Sequence, residues 1–142
     1  MLELEQFLPY RLSVLANTIS TAIAGVYQQR FNLSVTEWRV LAVLGRYPDC
    51  SATEVAERIA MDKVAVSRAV AGLLKSGRIR RSTHNQDRRR SVLSLSAKGR
   101  RVYAQVVPLA LAYEGQLLAR LKPQEQAQLD RILAKLANAN AA

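Results

Sequence analysis

Cysteine, histidine and tryptophan each occur once in this chain of 142 residues, and phenylalanine only twice. A lone Cys50 makes no disulfide within the chain, and a lone His84 with no second soft ligand near it argues against a zinc site. Long apolar runs are missing too: none reaches the roughly 18–20 residues that a membrane span needs. The opening MLELEQFLPY lacks the basic start and apolar stretch of a signal peptide. These absences set aside membrane and secretory readings and lead to the expectation of a cytoplasmic protein with no membrane partner. No nucleophile–base pair or carboxylate dyad stands out, so neither an enzyme nor a cofactor is expected. What the chain does have is a hydrophobic fraction of 49%, sufficient for one packed domain and too high for disorder.

Acidic residues are also scarce, 11 against 21 Lys and Arg, and the resulting charge of +10 is not spread evenly. Residues 1–60 and 102–142 are nearly neutral. Residues 61–101 hold Lys63, Arg68, Lys75, Arg78, Arg80, Arg81, Arg88, Arg89, Arg90, Lys98, Arg100 and Arg101 against only Asp62 and Asp87, so this stretch carries the whole excess. A scattered excess reads as solvated surface. Concentration between two neutral flanks reads as a face for a polyanion.

Most of the chain has helical periodicity. Leu8, Leu12, Leu15, Ile19, Ile23, Val26 and Tyr27 fall at three- and four-residue spacing and predict a helix to about Phe31. Ser34 to Glu37 and Ser51 to Glu54 have capping-box spacing. They predict one helix bearing Trp38, Leu41 and Leu44 that ends before Pro48, and a shorter one bearing Val55, Ala56 and Ile59. Asp62 is a good N-cap for a helix from Lys63 to about Ser76, with Val66, Val70, Leu73 and Leu74 inward and Gly77 as its stop. The period then shortens. Ile79–His84 and Ser91–Ser96 alternate like strands about the polar connection Asn85–Arg90, which predicts a hairpin. Ser96 caps a long helix to about Arg120, with Pro108 expected to kink it or mark its weakest turn. Pro123 opens a last helix bearing Leu129, Ile132, Leu133 and Leu136, and Ala137–Ala142 should fray. The expected fold class is mainly α with a small β-hairpin.

A short helix, the turn Ala60-Met61-Asp62, a second helix and a basic hairpin make a winged helix-turn-helix. The physics suits duplex DNA. The major groove admits one helix whose first turns reach base edges, and a helix N-terminus favours phosphate. Guanidinium groups on a narrow projection fit a minor groove, whose potential is most negative where it is narrow. Asp87 suits this tip if it orients a neighbouring guanidinium, with Arg89 the expected partner. The rival reading is a non-specific architectural or RNA-binding protein. The stretch 61–101 offers no aromatic platform for unstacked bases, which disfavours it.

Leu33-Ser-Val-Thr-Glu-Trp38, Asp62-Lys-Val-Ala-Val-Ser-Arg68, Leu73-Leu-Lys-Ser-Gly77 and Asp87-Arg-Arg-Arg-Ser-Val-Leu-Ser-Leu-Ser-Ala-Lys-Gly99 together resemble the MarR family of bacterial transcriptional regulators. The last segment is similar to the family's wing, Asp-x-Arg followed by Leu-Thr-x-x-Gly, with Ser96 keeping the capping hydroxyl of the threonine. Lys122 departs from the usual Ser or Thr before the last helix, so a weaker start is expected there. The resemblance implies a homodimer joined through its first and last helices. It implies a pseudo-palindromic double-stranded DNA operator and, most often, repression relieved by a small aromatic acid or phenol. It implies a single domain over 1–142, with the winged segment at about 34–100 and dimerisation helices at about 7–31 and 101–138. The DNA-contacting candidates are Lys63, Ala65, Val66, Ser67, Arg68, Lys75, Asp87, Arg88, Arg89 and Arg90. Tyr10, Arg11 and Trp38 are the ligand-site candidates, although Trp38, on the apolar face of its helix, reads better as core and Arg11 reads better as a surface arginine. Thiol-sensing relatives hold their cysteine near the start of the first helix, where this chain has none.

Overall fold

Polar caps set most of the helix boundaries. The computed structural model describes residues 1–84 and 87–139, with the side chains of residues 84, 87–90 and 139 outside that description. After a 3-10 turn over Leu4–Gln6, helix α1 (Leu8–Phe31) ends on Asn32, whose φ of 53° is left-handed. Helix α2 (Val35–Arg46) opens with a complete capping box: the Glu37 amide donates to Ser34 Oγ at 3.1 Å and the Ser34 amide donates to Glu37 Oε1 at 2.9 Å. Helix α3 (Ala52–Ile59) is capped differently from expectation. Ser51 Oγ accepts from the Glu54 amide at 3.1 Å and donates to the Glu54 carboxylate at 3.2 Å, so the two side chains bond each other. Ala60, at φ 57°, turns the chain into helix α4 (Lys63–Lys75), where Asp62 Oδ1 accepts from the Val64 amide at 3.3 Å.

The end of α4 explains its glycine. The Arg78 amide donates to the Leu73 carbonyl at 3.0 Å and the Gly77 amide to the Leu74 carbonyl at 3.1 Å, a Schellman arrangement. It requires the left-handed φ of 75° at Gly77, which a side chain would resist. Strands β1 (Ile79–His84) and β2 (Asp87–Leu95) then pair antiparallel, from Ile79 with Leu95 to Thr83 with Ser91. The register shifts at His84, which pairs with Asp87. The backbone of Arg88–Arg90 therefore belongs to the strand, in the irregular stretch of the ladder, and not to the connecting loop expected from the sequence. Asn85 and Gln86 lie outside the described residues. Cys50 adds a rung that the sequence did not announce: its carbonyl accepts from the Leu93 amide at 2.7 Å, and its buried thiol donates to the Tyr47 carbonyl at 3.2 Å.

Helix α5 (Ala97–Leu118) is pinned to the start of β1. Ser96 Oγ accepts from the Gly99 amide at 3.0 Å and donates to the Gly77 carbonyl at 2.6 Å, while the Ser96 amide donates to the Arg78 carbonyl at 3.0 Å. The first turn of α5 sits so close to β1 that a Cβ at Gly99 would lie 1.8 Å from the Arg78 carbonyl oxygen. Only glycine fits there.

Two compact units meet within α5, Met1–Val107 and Pro108–Ala142, so the division falls at the proline that removes a helical N–H. The first unit holds one core: Tyr27 of α1, Val40, Leu41 and Leu44 of α2, Val55 of α3, Val66, Val70 and Leu73 of α4, Leu93 of β2 and Val106 of α5. Full burial of each such aliphatic side chain contributes about 1.5–3 kcal/mol. Trp38 packs against this core with its ring centroid 5.8 Å from Tyr27 and 6.0 Å from Tyr103. Burial pushes the Tyr27 phenol above its ordinary value of 10.0, against the pull of the Arg39 guanidinium. Arg39 itself bridges α1 and the helix-turn-helix turn, donating to Ser20 Oγ at 2.8 Å and to Met61 Sδ at 3.1 Å. In the second unit, helix α6 (Pro123–Ala139) begins at Pro123, and Glu125 accepts from the Lys122 amide at 2.8 Å. The glutamate makes the reciprocal half of a capping box, while Lys122 has no side-chain acceptor for the other half. Among the described residues no helix is long and apolar enough to cross a membrane. Residues 140–142 of the tail expected to fray lie outside the described residues.

Candidate nucleic-acid interface

Helix α4 turns its residues at 100° steps, and the structure fixes which face is outward. Val66, Ala69, Val70 and Leu73 are buried against α2 and α3, while Lys63, Val64, Ser67, Arg68, Ala71 and Lys75 are exposed. Two of the sequence candidates, Ala65 and Val66, do not share this outward face. Val66 is 1% exposed: it belongs to the core beneath the helix and forms only the floor of the groove beside it. Ala65 is half-buried at the edge of the face. Lys63, Ser67, Arg68 and Lys75 stand where a ligand of α4 would meet them. The sequence reading passed over Val64, which is 55% exposed beside Lys63. The signal was available: Val64 and Arg68 are four residues apart and therefore share a face.

The hairpin adds to this face and also divides the cations. Alternation along β1 sends Arg81 towards α4, where it lines a groove of ≈ 250 Å³ with Lys63, Ser67, Ala71, Ala52 and Thr53. Arg81 is thus a second residue that the sequence candidates omitted. Arg80 points to the other side of the strand and lines a separate groove of ≈ 570 Å³ with Arg100, Asp49 and Tyr103. Arg78 is structural, not part of an anion-binding surface. Its guanidinium donates to the Phe31 carbonyl, and its Nε is buried with no partner among the described residues. Lys98 Nζ is likewise engaged, donating to the Ser76 carbonyl at 2.8 Å. The side chains of Asp87, Arg88, Arg89 and Arg90, and with them the Asp87–Arg89 pairing, lie outside the described residues.

The ligand-site candidates are not brought together within the chain. Trp38 stacks on Tyr103 and meets Tyr27 at a tilt of 43°, whereas Tyr10 and Arg11 are exposed near the other end of α1. At 1.5 Å per helical residue, the stretch of α1 from Tyr10 to Tyr27 is about 25 Å long. No group of metal-ligating side chains occurs among the described residues.

A helix-turn-helix whose second helix is cationic on its outer face, followed at once by a basic antiparallel hairpin, defines the winged helix-turn-helix class. Residues 31–90 match the MarR family. A crystal structure of a MarR/EmrR family transcriptional regulator from Acinetobacter sp. ADP1 superimposes with a TM-score of 0.88 at 30% identity, covering 99% of this chain and 99% of that one. The chain belongs to the MarR family. It is also 32% identical over 93 residues to the HTH-type transcriptional regulator BilQ of Clostridium symbiosum, a match spanning 66% of this chain and 65% of that protein. The fold is shared, at 20% identity and a TM-score of 0.81, with Bordetella bronchiseptica BpsR, whose DNA binding is regulated by 6-hydroxynicotinic acid; that match covers 96% of this chain and 97% of that one.

Proposed function

We propose that the protein is a homodimeric, sequence-specific DNA-binding repressor whose operator is pseudo-palindromic. The observation that carries this is the outward face of α4, where Lys63, Ser67, Arg68 and Lys75 stand on one side of a helix whose opposite side is core. In this reading the first turns of α4 enter the major groove, with Arg68 at a base edge and Lys63, Lys75 and Arg81 on flanking phosphates. Asp87 and Arg88–Arg90 extend the contact into the neighbouring minor groove. Residues 34–100 form the winged segment.

Dimerisation through the outer helices is supported by apolar surface that the single chain leaves uncovered. Leu8, Leu12 and Leu15 of α1, and separately Leu129, Ile132, Leu133 and Leu136 of α6, are all exposed. A 17-residue helix with no buried side chain among its described residues gains little from propensity alone and needs a partner surface. Residues 7–31 and 101–138 serve as the dimerisation helices, and half-sites then fall about 34–36 Å apart, one turn of DNA. Repression is relieved by a small aromatic acid or phenol, a property drawn from the family resemblance and consistent with BpsR.

Selection of bound fragments from a genomic DNA pool, followed by competition against random duplex, tests the reading. A shared inverted repeat bound at least about a thousandfold more tightly than random DNA is expected. Equal affinity for all duplexes would replace it with the non-specific architectural reading. Aromatic acids and phenols are then screened for release of the selected operator.

A further inference from the structure

Large apolar side chains more than half exposed are confined, among the described residues, to the N-terminal segment and the faces of α1, α5 and α6, with one exception. Val64 is 55% exposed in the first turn of α4, between Asp62 and Lys63 on one side and Ser67 and Arg68 on the other. Val64 is not part of the hydrophobic core, and its amide is already taken by Asp62 Oδ1 at 3.3 Å. A valine that served only to form a helix would be a poor choice at this position, since β-branched residues lower helix propensity and expose apolar surface to water. Its stiffness is an advantage in a contact, because little rotamer freedom is left to lose.

We propose that Val64 is a specificity-determining residue that packs on the 5-methyl group of a thymine in each half-site, beside the base pair read by Arg68. The inference rests on the proposed DNA-binding reading and goes beyond it by naming a base. The thymine methyl is the apolar feature of the major groove, and a cationic face has no other evident use for an exposed aliphatic group. Four residues of α4 rise about 6 Å, against 3.4 Å per base step along a strand. Val64 and Arg68 therefore meet base pairs within two steps of each other.

The experiment uses the full-length protein and the operator recovered by selection from random duplex DNA. The base pair read by Arg68 is located as the one whose preference is relaxed in Arg68→Ala, and each thymine within two steps of it is replaced in both half-sites by deoxyuridine, which removes the methyl and leaves every hydrogen-bonding group. Affinity is measured by fluorescence anisotropy. For the wild-type protein, one such replacement is expected to weaken binding about fourfold per half-site, the value of one buried methyl group. Val64→Ala should bind the thymine operator more weakly by a similar factor and be insensitive to the replacement. Val64→Thr, which keeps one γ-methyl, should retain part of the sensitivity. A wild-type protein indifferent to deoxyuridine at every tested position, or a Val64→Ala variant as sensitive as wild type, would overturn the assignment while leaving sequence-specific binding intact. Failure to recover any preferred sequence would overturn both, and is recognised by equal binding to random duplex.

Discussion

Replacing Gly99 by alanine sets two physical effects in opposition, and the structure decides the sign. Helix propensity alone favours alanine by up to about 1 kcal/mol. Against this, the new Cβ would stand 1.8 Å from the Arg78 carbonyl oxygen, 2.9 Å from the Arg78 carbonyl carbon and 3.4 Å from its Cα, all backbone atoms that no rotamer change moves. A carbon–oxygen contact is normally about 3.3 Å or longer, so α5 and β1 must separate by about 1.5 Å. That displacement breaks the bonds from the Ser96 amide to the Arg78 carbonyl and from Ser96 Oγ to the Gly77 carbonyl, at 3.0 and 2.6 Å. Two hydrogen bonds at about 1 kcal/mol each and an overpacking cost of about 1–3 kcal/mol outweigh the propensity gain. A net loss of about 2–4 kcal/mol is expected, near 10 °C in melting temperature for a domain of this size. Urea denaturation followed by circular dichroism, at one fixed protein concentration because dimerisation shifts the midpoint, measures it. Gly115→Ala is the contrast: its Cβ meets nothing within 4 Å in its own chain, so no backbone clash of the Gly99 kind opposes the gain in propensity there. If Gly99→Ala were as stable as the parent, the close approach of α5 to β1 would be wrong.

Three further outcomes follow from other parts of the molecule. Arg68→Ala should cost about 1–3 kcal/mol of specific binding and relax the preference at one position per half-site, and a loss uniform across sequences would assign Arg68 to phosphate instead. Ile132→Asp places a charge in the exposed apolar stripe of α6 and should leave a folded monomer at micromolar concentration in light scattering, whereas an intact dimer would remove α6 from the interface. Tyr27→Phe should flatten the alkaline loss of stability. The folded phenol titrates above 10.0, so its contribution is complete below that pH and falls as pH rises through the folded value, and a denaturation profile that declines identically in the variant would refute it.

Local signals in the sequence were legible because their causes are local. Ser34 with Glu37, Asp62, Gly77 and Pro123 act on backbone groups within four residues, and the elements begin and end at or beside them. The change from helical to alternating period at Ile79 located the hairpin for the same reason. Its length was less clear, since the polar residues Asp87–Arg90 look like a loop while their backbone runs in β2. The cationic face of α4 was partly legible. Lys63, Ser67, Arg68 and Lys75 are exposed and the inward place of Val66 follows from its spacing to Val70 and Leu73, but the outward Val64, 200° around the helix from Val66, carries no signal of its own beyond its spacing to Arg68. Residue type gave no help there, because both are valines.

The sequence by itself determined the element order, the concentration of charge and the family, since each rests on residue type and spacing along the chain. Tertiary structure decided which of those charges are free. Arg78 and Lys98 look no different from Arg81 in sequence, yet Arg78 and Lys98 bond the Phe31 and Ser76 carbonyls while Arg81 turns to the groove beside α4. It decided as well that Trp38 belongs with Tyr27 and Tyr103 rather than with Tyr10 and Arg11, and that Gly99 is required by a carbonyl lying far from it in sequence. The physical reason is the same in each case. A side chain's partner depends on distances in space between residues remote in sequence, and neither composition nor period carries that information.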